Sequence, residues 1–595
     1  MTSAEIRSRF LEFFKKREHA VLESASLVTS DEKGVTNPTL FNTAGMQPLI
    51  PYLLGKTHPL GKRLVDAQKC LRTVDIDDVG DNTHATFFEM LGNWSLGDYF
   101  KEEAIKWSFQ FLTSKEEGLG LDPGRLYVTV FEGDENAPKD TEAFEIWKKY
   151  VPENRIYFMG AKSNWWEAGE NGPCGPDSEM YYDVTPKGLG DLNKEGFISA
   201  DDKRDVVEIW NDVFMQYEKK DGKIVGKLPK PSVDTGAGLE RLAMVIQGVN
   251  NIYDTDLLKP AMIKISELPK KDSYDLKSAR ILADHVRASV FLIADGVVPS
   301  NTDRGYVLRK LIRRSVRHAN VLGIGDNGEI GLIAKSVIEN YKNIYKEVVE
   351  KSNVVIEEIA REEKKFRETL NQGLKEFEKG VDAFTLFSSY GFPLELTLEL
   401  AKEKGITVDV NDFNEKFKKH QELSRSGAEQ KFKGGLADAN NEMVVRYHTA
   451  THLLHQALFD VLGNGVMQKG SNITTERLRF DFAHTAKMTD EEKKKVEDIV
   501  NQKIAERLPV SQVIMSREEA EKTGAKHFFG EKYGDEISIY FVGKDLPSAF
   551  SKEFCGGPHV KNTSELAGPE GKWHFKIAKE EAVAQGVRRI KAVLG

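Results

Sequence analysis

Read for the spacing of its apolar positions, the 595-residue chain changes character along its length. Short runs rich in β-branched and aromatic residues, Leu126–Phe131 and residues 206–217, predict strands. They lie in a stretch broken by turns, since fifteen of the twenty prolines fall between Pro38 and Pro299. That half reads as a mixed α/β domain. No proline follows Pro299 until Pro393. Beyond residue 356, Ile359, Phe366, Leu370, Leu374 and Phe377 recur near helical spacing, with Glu and Lys between them. This pattern predicts a long surface helix or a helical hairpin. Residues 304–318 repeat it, with Val307, Leu308, Leu311, Ile312 and Val316 as the apolar stripe. A third region opens near Glu442, after the polar, glycine-containing residues 424–441. It predicts a helix over about 448–462 and a strand at Glu536–Val542.

Composition narrows the class. A chain this long exceeds one core of roughly 100–200 residues, so three or four units are expected. The net charge of −9 excludes a uniformly basic nucleic-acid binder but not a local basic patch. No run of about 18 apolar residues predicts a membrane span. Glu5, Arg7, Arg9 and Glu12 interrupt any signal-peptide core. Cys70, Cys174 and Cys555 are few, odd in number and far apart, which predicts free thiols and a reducing, cytoplasmic home.

Four segments carry candidate chemistry. In residues 70–101, Arg72 precedes a turn-rich loop that returns through Phe87, Phe88, Glu89 and Met90. A guanidinium at the base of such a hairpin suits a phosphate, although a surface arginine fits the spacing as well. In residues 230–247, Asp234, Gly236 and Gly238 precede an amphipathic helix carrying Arg241. Bare backbone at a helix start suits an anion, and a capped helix start is the plainer alternative. Residues 304–318 hold Arg304, Arg309, Lys310, Arg313, Arg314 and Arg317 without an acid. This is either a phosphate-facing surface or a solvated helix face. Finally, His448 and His452 lie one helical turn apart, and Cys555 and His559 form a second pair around Gly556 and Gly557. The four resemble a His₃Cys zinc site, with His455 as a competing ligand. Unlinked surface histidines and a buried apolar cysteine are the alternative.

The phrases FFEMLGNWSLGDYFK, NGPCGPDSEMYYD, IWNDVFMQY, PKPSVDTGAGLER and LIADGVVPSNTDRGYVLRKLIRR resemble the class II aminoacyl-tRNA synthetases, specifically the alanyl-tRNA synthetase family. HTATH, QKGS, RLRFDF and CGGPH resemble that family's editing domain. The resemblance implies an α+β multidomain protein with an antiparallel-sheet catalytic domain over 1–250. A helical acceptor-stem domain over 251–423, a linker over 424–441 and an α/β editing domain over 442–595 complete it. It further implies ATP-dependent attachment of alanine to tRNA(Ala), with hydrolysis of Ser-tRNA(Ala) and Gly-tRNA(Ala).

The site roles follow from the same resemblance. Arg72 is expected to clamp the ATP α-phosphate and the alanine carboxylate, and Arg241 to cover adenine. The backbone of Met90, with Gly238, is expected to hold the nucleotide. Asp234 is expected to take the alanine ammonium, and Trp166, Asn211 and Gly236 to line the side-chain pocket. Asn301, Arg309, Arg313, Arg314 and Glu395 are expected at the acceptor stem, Glu395 standing where relatives have aspartate. Gln468 is expected to touch the editing substrate. Mg²⁺ is expected with ATP, and one Zn²⁺ on His448, His452, Cys555 and His559. Longer members carry a β-barrel before HTATH and further domains after GVRRIKAVLG, whose absence here leads to an expected monomer.

Overall fold

In a computed structural model, the structure describes residues 1–28, 40–135, 137–169, 171–268, 274–325, 328–419, 441–463, 465–484, 486–526, 536–584 and 586–595. Nearly all of the expected linker, 424–440, lies outside the described residues. The chain forms two compact units, Met1–Val408 and Asp409–Gly595.

The first unit is built on one sheet. Its strands are β1 (Ala20–Val21), β2 (Arg63–Leu71), β3 (Phe87–Ser95), β4 (Leu126–Phe131), β5 (Ile156–Met159), β6 (Trp165–Glu167), β7 (Gly172–Asp183), β8 (Val206–Lys220) and β9 (Lys223–Gly238). Their order is β1-β2-β3-β9-β8-β7-β4-β5, with β6 against β7. Every pair from β2 through β4 is antiparallel, and only the outer pairs β1–β2 and β4–β5 are parallel. This is the expected antiparallel catalytic sheet.

Alternation assigns the two faces of this sheet. Val65, Leu91, Ala237 and Phe214 turn to a core shared with Phe10 and Phe13 of the Ser3–Lys15 helix. Leu64, Met90, Trp94 and Val213 turn the other way. The second face carries the chemistry.

Helices complete the unit. The apolar positions read at 359–377 fall on one continuous helix, Ser352–Glu378, not a hairpin. Ile359, Phe366 and Leu370 are buried there, and Leu374 packs against the same core. The Leu276–Ala294 helix fastens the turn-rich loop after Arg72 to this body. Asp284 accepts the Thr86 N–H at 2.9 Å, and Arg287 donates to the Phe87 carbonyl. Arg287 also pairs with Glu240 at 2.8 Å, wholly buried, and Glu240 in turn accepts the Glu89 N–H at 3.2 Å. The start of the Leu239–Gln247 helix and strand β3 are thus held by one guanidinium.

The second unit has strands β10 (Gln468–Ile473), β11 (Leu478–Ala483), β12 (Val510–Ser516), β13 (Glu536–Val542), β14 (Ser551–Phe554), β15 (Phe575–Ala584) and β16 (Val587–Leu594). They form two antiparallel sheets, β10-β11-β16-β15 and β12-β13-β14. Leu478, Phe480, Phe482 and Ile590 on the first sheet bury against Leu454 and Leu458 of the Glu442–Leu462 helix and Val496 and Val500 of the Asp490–Ala505 helix.

Candidate functional sites

On the site face of the first sheet, an open cleft is lined by Arg72, His84, Phe88, Met90, Glu208, Gly236, Gly238, Glu240 and Arg241, among others. Arg72 leaves the end of β2, donates to the Thr43 carbonyl at 3.1 Å, and lies 5.0 Å from the Phe88 ring centre. Both contacts aim a planar, permanently charged fork. Arg241, on the first turn of the Leu239–Gln247 helix, is held by Glu208 at 2.8 Å. Met90 faces Gly238 in the β3–β9 register. Arg72, Met90, Gly238 and Arg241, separated by up to 169 positions, therefore meet in one cleft. Asp234, Gly236 and Gly238 belong to strand β9, with Gly238 as the cap of the helix that follows.

The next rows of the sheet hold the candidate amino-acid pocket. Asp234 faces Trp94 on one side and Val213 on the other, while Asn211 faces Gly236. A Cβ on Gly92 would lie 2.5 Å from the Trp94 ring, so only glycine lets the indole fold back over β3. So folded, Trp94 Nε1 donates to Asp234 Oδ1 at 2.6 Å. Burial pushes the Asp234 carboxyl up to about 7, against the Trp94 hydrogen bond, which lowers it. A Cβ on Gly236 would meet Met90 Sδ at 3.0 Å, so the floor here is bare backbone. Asn211 donates toward Asp177 at 3.4 Å, and its buried Oδ1 has no hydrogen-bond partner. Trp166, on β6, packs with Met90, Trp94 and Val213. A buried carboxylate, an unmet carboxamide oxygen and two indole rings are thus grouped on this face, next to Met90 and Gly236 of the cleft. Such a group of side chains suits an ammonium beside a short apolar side chain.

Sequence reasoning missed Trp94, Glu208 and Asp177. Each signal was present as a polar or aromatic position inside an alternating strand. Their partners lie across strands, so spacing alone gave no reason to select them.

The Asp303–Leu322 helix groups some of the candidate acceptor-stem residues near its start and turns its later cations inward. Near its start, Arg309 donates to Asn301, and Tyr306 donates to Glu395 of the Leu394–Glu403 helix. Asn301 and Glu395 thus converge on residues one helical turn apart. Further on, the cations turn inward. Arg313 pairs with Glu362 at 2.8 Å. Buried Arg314 and Arg317 pair with Glu399 at 3.3 and 3.0 Å, and Arg314 also donates to the Ile76 carbonyl at 2.6 Å. The sequence showed no acid within 304–318, but acids on neighbouring helices neutralise the patch. Arg314 therefore anchors the loop after Arg72 and presents no free cation to a phosphate.

In the second unit, one donor atom from each of His448, His452, Cys555 and His559 lies within 4.8 Å of the others. The Glu442–Leu462 helix supplies the first two, and the loop after β14 the others. Cys555 Sγ is 3.4 Å from His448 Nε2 and 3.3 Å from His559 Nε2. A tetrahedral ion with ordinary zinc bond lengths places sulfur and nitrogen ligands about 3.5 Å apart, so Cys555, His448 and His559 are spaced to share one. The far nitrogens are held as well: His448 Nδ1 contacts the Pro558 carbonyl at 3.0 Å, and His559 Nδ1 the Thr449 hydroxyl at 3.1 Å. Such partners aim a ligating ring. Burial and the neighbouring imidazoles lower His448 to about 3 and His559 well below its usual value, favouring the neutral rings that ligate. His455 turns instead to Glu553 at 3.0 Å, and Glu553 lies 3.6 Å from His452. Gln468 opens β10 and donates to Ser471 at 3.2 Å.

Two family models match the chain. That described as tRNA synthetases class II (A) matches residues 5–496. That described as the threonyl and alanyl tRNA synthetase second additional domain matches residues 537–591. An alanine–tRNA ligase of Borreliella afzelii (strain PKo) is 49% identical, the match covering 100% of both chains. One of Treponema pallidum (strain Nichols) is 48% identical over 99% of this chain and 98% of its own. One of Thermotoga maritima is 39% identical over 100% of this chain and 80% of the relative. Together with a cleft and a His/Cys cluster placed where the quoted motifs fall, these matches show that the chain belongs to the alanine–tRNA ligase family of class II tRNA synthetases.

Proposed function

We propose that this chain joins alanine to tRNA(Ala) through an alanyl-adenylate and hydrolyses mischarged Ser-tRNA(Ala) and Gly-tRNA(Ala) at a second site. The observation that carries the first half is the buried Asp234, gripped by Trp94 on the same strand as Gly236 and Gly238, which line the cleft with Arg72 and Arg241. It receives the ammonium group, while Asn211, Trp166 and bare Gly236 bound the methyl. A carboxylate oxygen of alanine then attacks the α-phosphorus of ATP, and the bond to pyrophosphate breaks. Two anions approach each other, so the barrier is largely electrostatic. Arg72 draws both to one point, and Arg241, once released from Glu208, covers the nucleotide. No protein nucleophile is required. Mg²⁺ accompanies ATP and offsets triphosphate charge, with carboxylates such as Asp75 and Glu208 at the cleft. The terminal ribose hydroxyl of the tRNA next attacks the adenylate carbonyl, and AMP leaves. Asn301, Glu395 and Arg309 meet the acceptor stem, with Arg313 and Arg314 supporting that helix from behind.

The three working parts are a catalytic domain over 1–250, an acceptor-stem domain over 251–423 and an editing domain over 442–595. His448, His452, Cys555 and His559 hold one Zn²⁺, which supplies Lewis acidity or substrate positioning when bound. Gln468 faces the ester. A second site is needed because a pocket sized for alanine cannot exclude glycine, and serine adds only one hydroxyl. Among the described residues no helix is long and apolar enough to cross a membrane. A cytoplasmic location suits three cysteines with no disulfide among them and a translation substrate.

The test is alanine-dependent exchange between ATP and pyrophosphate. Arg72→Ala should lower it by at least about a hundredfold, as loss of a transition-state charge contact does, with an unchanged melting temperature. Near-normal exchange would refute the assignment.

A further inference from the structure

The first sheet of the second unit has a polar face that the proposed chemistry does not use. Leu478, Phe480, Ile590 and Ala592 turn to the core, so their neighbours turn outward. Across the strands, Arg479 stands directly opposite Lys591, and Lys591 directly opposite Lys579. Three cations thus form one row over β11, β16 and β15, with strands about 4.8 Å apart. The next row holds Asp481, Arg589 and Glu581. Like charges placed opposite each other destabilise a sheet.

The two acids do not neutralise the face. Asp481 is taken by Arg589 through two hydrogen bonds of 2.7 and 2.8 Å, leaving Arg479 at 3.7 Å. Glu581 is shared between Lys579 at 2.6 Å and Lys591 at 3.0 Å. Arg477 adds a fifth cation near enough to repel Arg479. One guanidinium nitrogen of each, Arg477 Nη1 and Arg479 Nε, is buried without a hydrogen-bond partner. Buried donors of this kind ordinarily have partners. A surplus of three positive charges that includes guanidinium groups suits phosphodiester oxygens, which guanidinium binds two at a time.

We propose that Arg477, Arg479 and Lys591 form a docking surface for the phosphate backbone of tRNA, serving the His/Cys site. The proposal rests on the editing reading above. Phe480, the residue after Arg479, packs on the opposite face against His455, one turn from His452. The strand order leaves β10 and β15 as the two edges of the sheet, β10 being the one next to β11. A tRNA stem lying on the cationic face can therefore send its single-stranded 3′ end past β10 toward the cluster.

The experiment uses the full chain and Ser-tRNA(Ala), comparing the wild type with an Arg477→Ala/Arg479→Ala variant and, separately, Lys591→Glu. For both variants kcat/KM of deacylation should fall about tenfold or more, through KM. The salt dependence of log(kcat/KM) should become shallower by about one unit or more in the double variant. Exchange between ATP and pyrophosphate, bound metal and melting temperature should be unchanged. Unchanged deacylation in both variants, or a loss confined to kcat or accompanied by metal loss, would overturn the docking surface. A wild type that leaves Ser-tRNA(Ala) intact would overturn the editing reading and, with it, the surface.

Discussion

Burial and the Trp94 hydrogen bond act in opposite directions on the acidity of the group proposed to receive the amino group of alanine. Asp234 binds an ammonium only when ionised, and burial opposes ionisation, placing its titration at about 7. The apparent KM for alanine should therefore rise as pH falls through that value. The indole hydrogen bond favours the carboxylate, so Trp94→Phe should move the midpoint to higher pH. Measuring KM for alanine in the exchange assay from about pH 6 to about pH 9 checks this. A midpoint that stays put or moves down would show that the hydrogen bond does not tune the site. Asp234 was readable from its motif. Trp94 was not, because its role depends on Gly92 leaving space for the ring and on β9 lying beside β3.

Among the elements, two glycines in helices separate propensity from packing. Glycine in a helix usually costs about 1 kcal/mol relative to alanine. In the Glu329–Tyr341 helix, a Cβ on Gly331 would meet Ile356 at an ordinary 3.6 Å, so Gly331→Ala should stabilise by up to about 1 kcal/mol. In the Ser352–Glu378 helix, a Cβ on Gly373 would lie 2.2 Å from the Phe392 ring. Gly373→Ala should instead destabilise, by about 1–3 kcal/mol from overpacking. Thermal unfolding of the two variants should shift in opposite directions, and a shared direction would reject the packing argument. The existence of most elements was legible from periodicity: Leu126–Phe131 and Glu536–Val542 are strands with the bounds read from the sequence. What periodicity lacked was the partner of each charge. Residues 304–318 carry six cations and no acid, but Glu362, Glu399 and Glu403 arrive from other helices.

At the scale of the whole molecule, two sites with different chemistry lie in separate compact units. Chelation should therefore divide the activities. A strong chelator followed by excess Mg²⁺ should abolish deacylation of Ser-tRNA(Ala) and leave alanine-dependent exchange intact, with Zn²⁺ restoring the lost activity. Loss of both reactions, or of neither, would contradict that division. The sequence by itself determined the family, the alternating strands, the long proline-free helices and the residue types of both sites, because these depend on local spacing and on long unbroken motifs. Only the tertiary structure decided which of those residues meet. Arg72 shares a cleft with Arg241 through three strands, Cys555 reaches His448 across 107 positions, and Arg314 turns to Glu399 instead of outward. Those outcomes follow from strand register and helix packing, which depend on burying apolar faces that lie far apart in the chain.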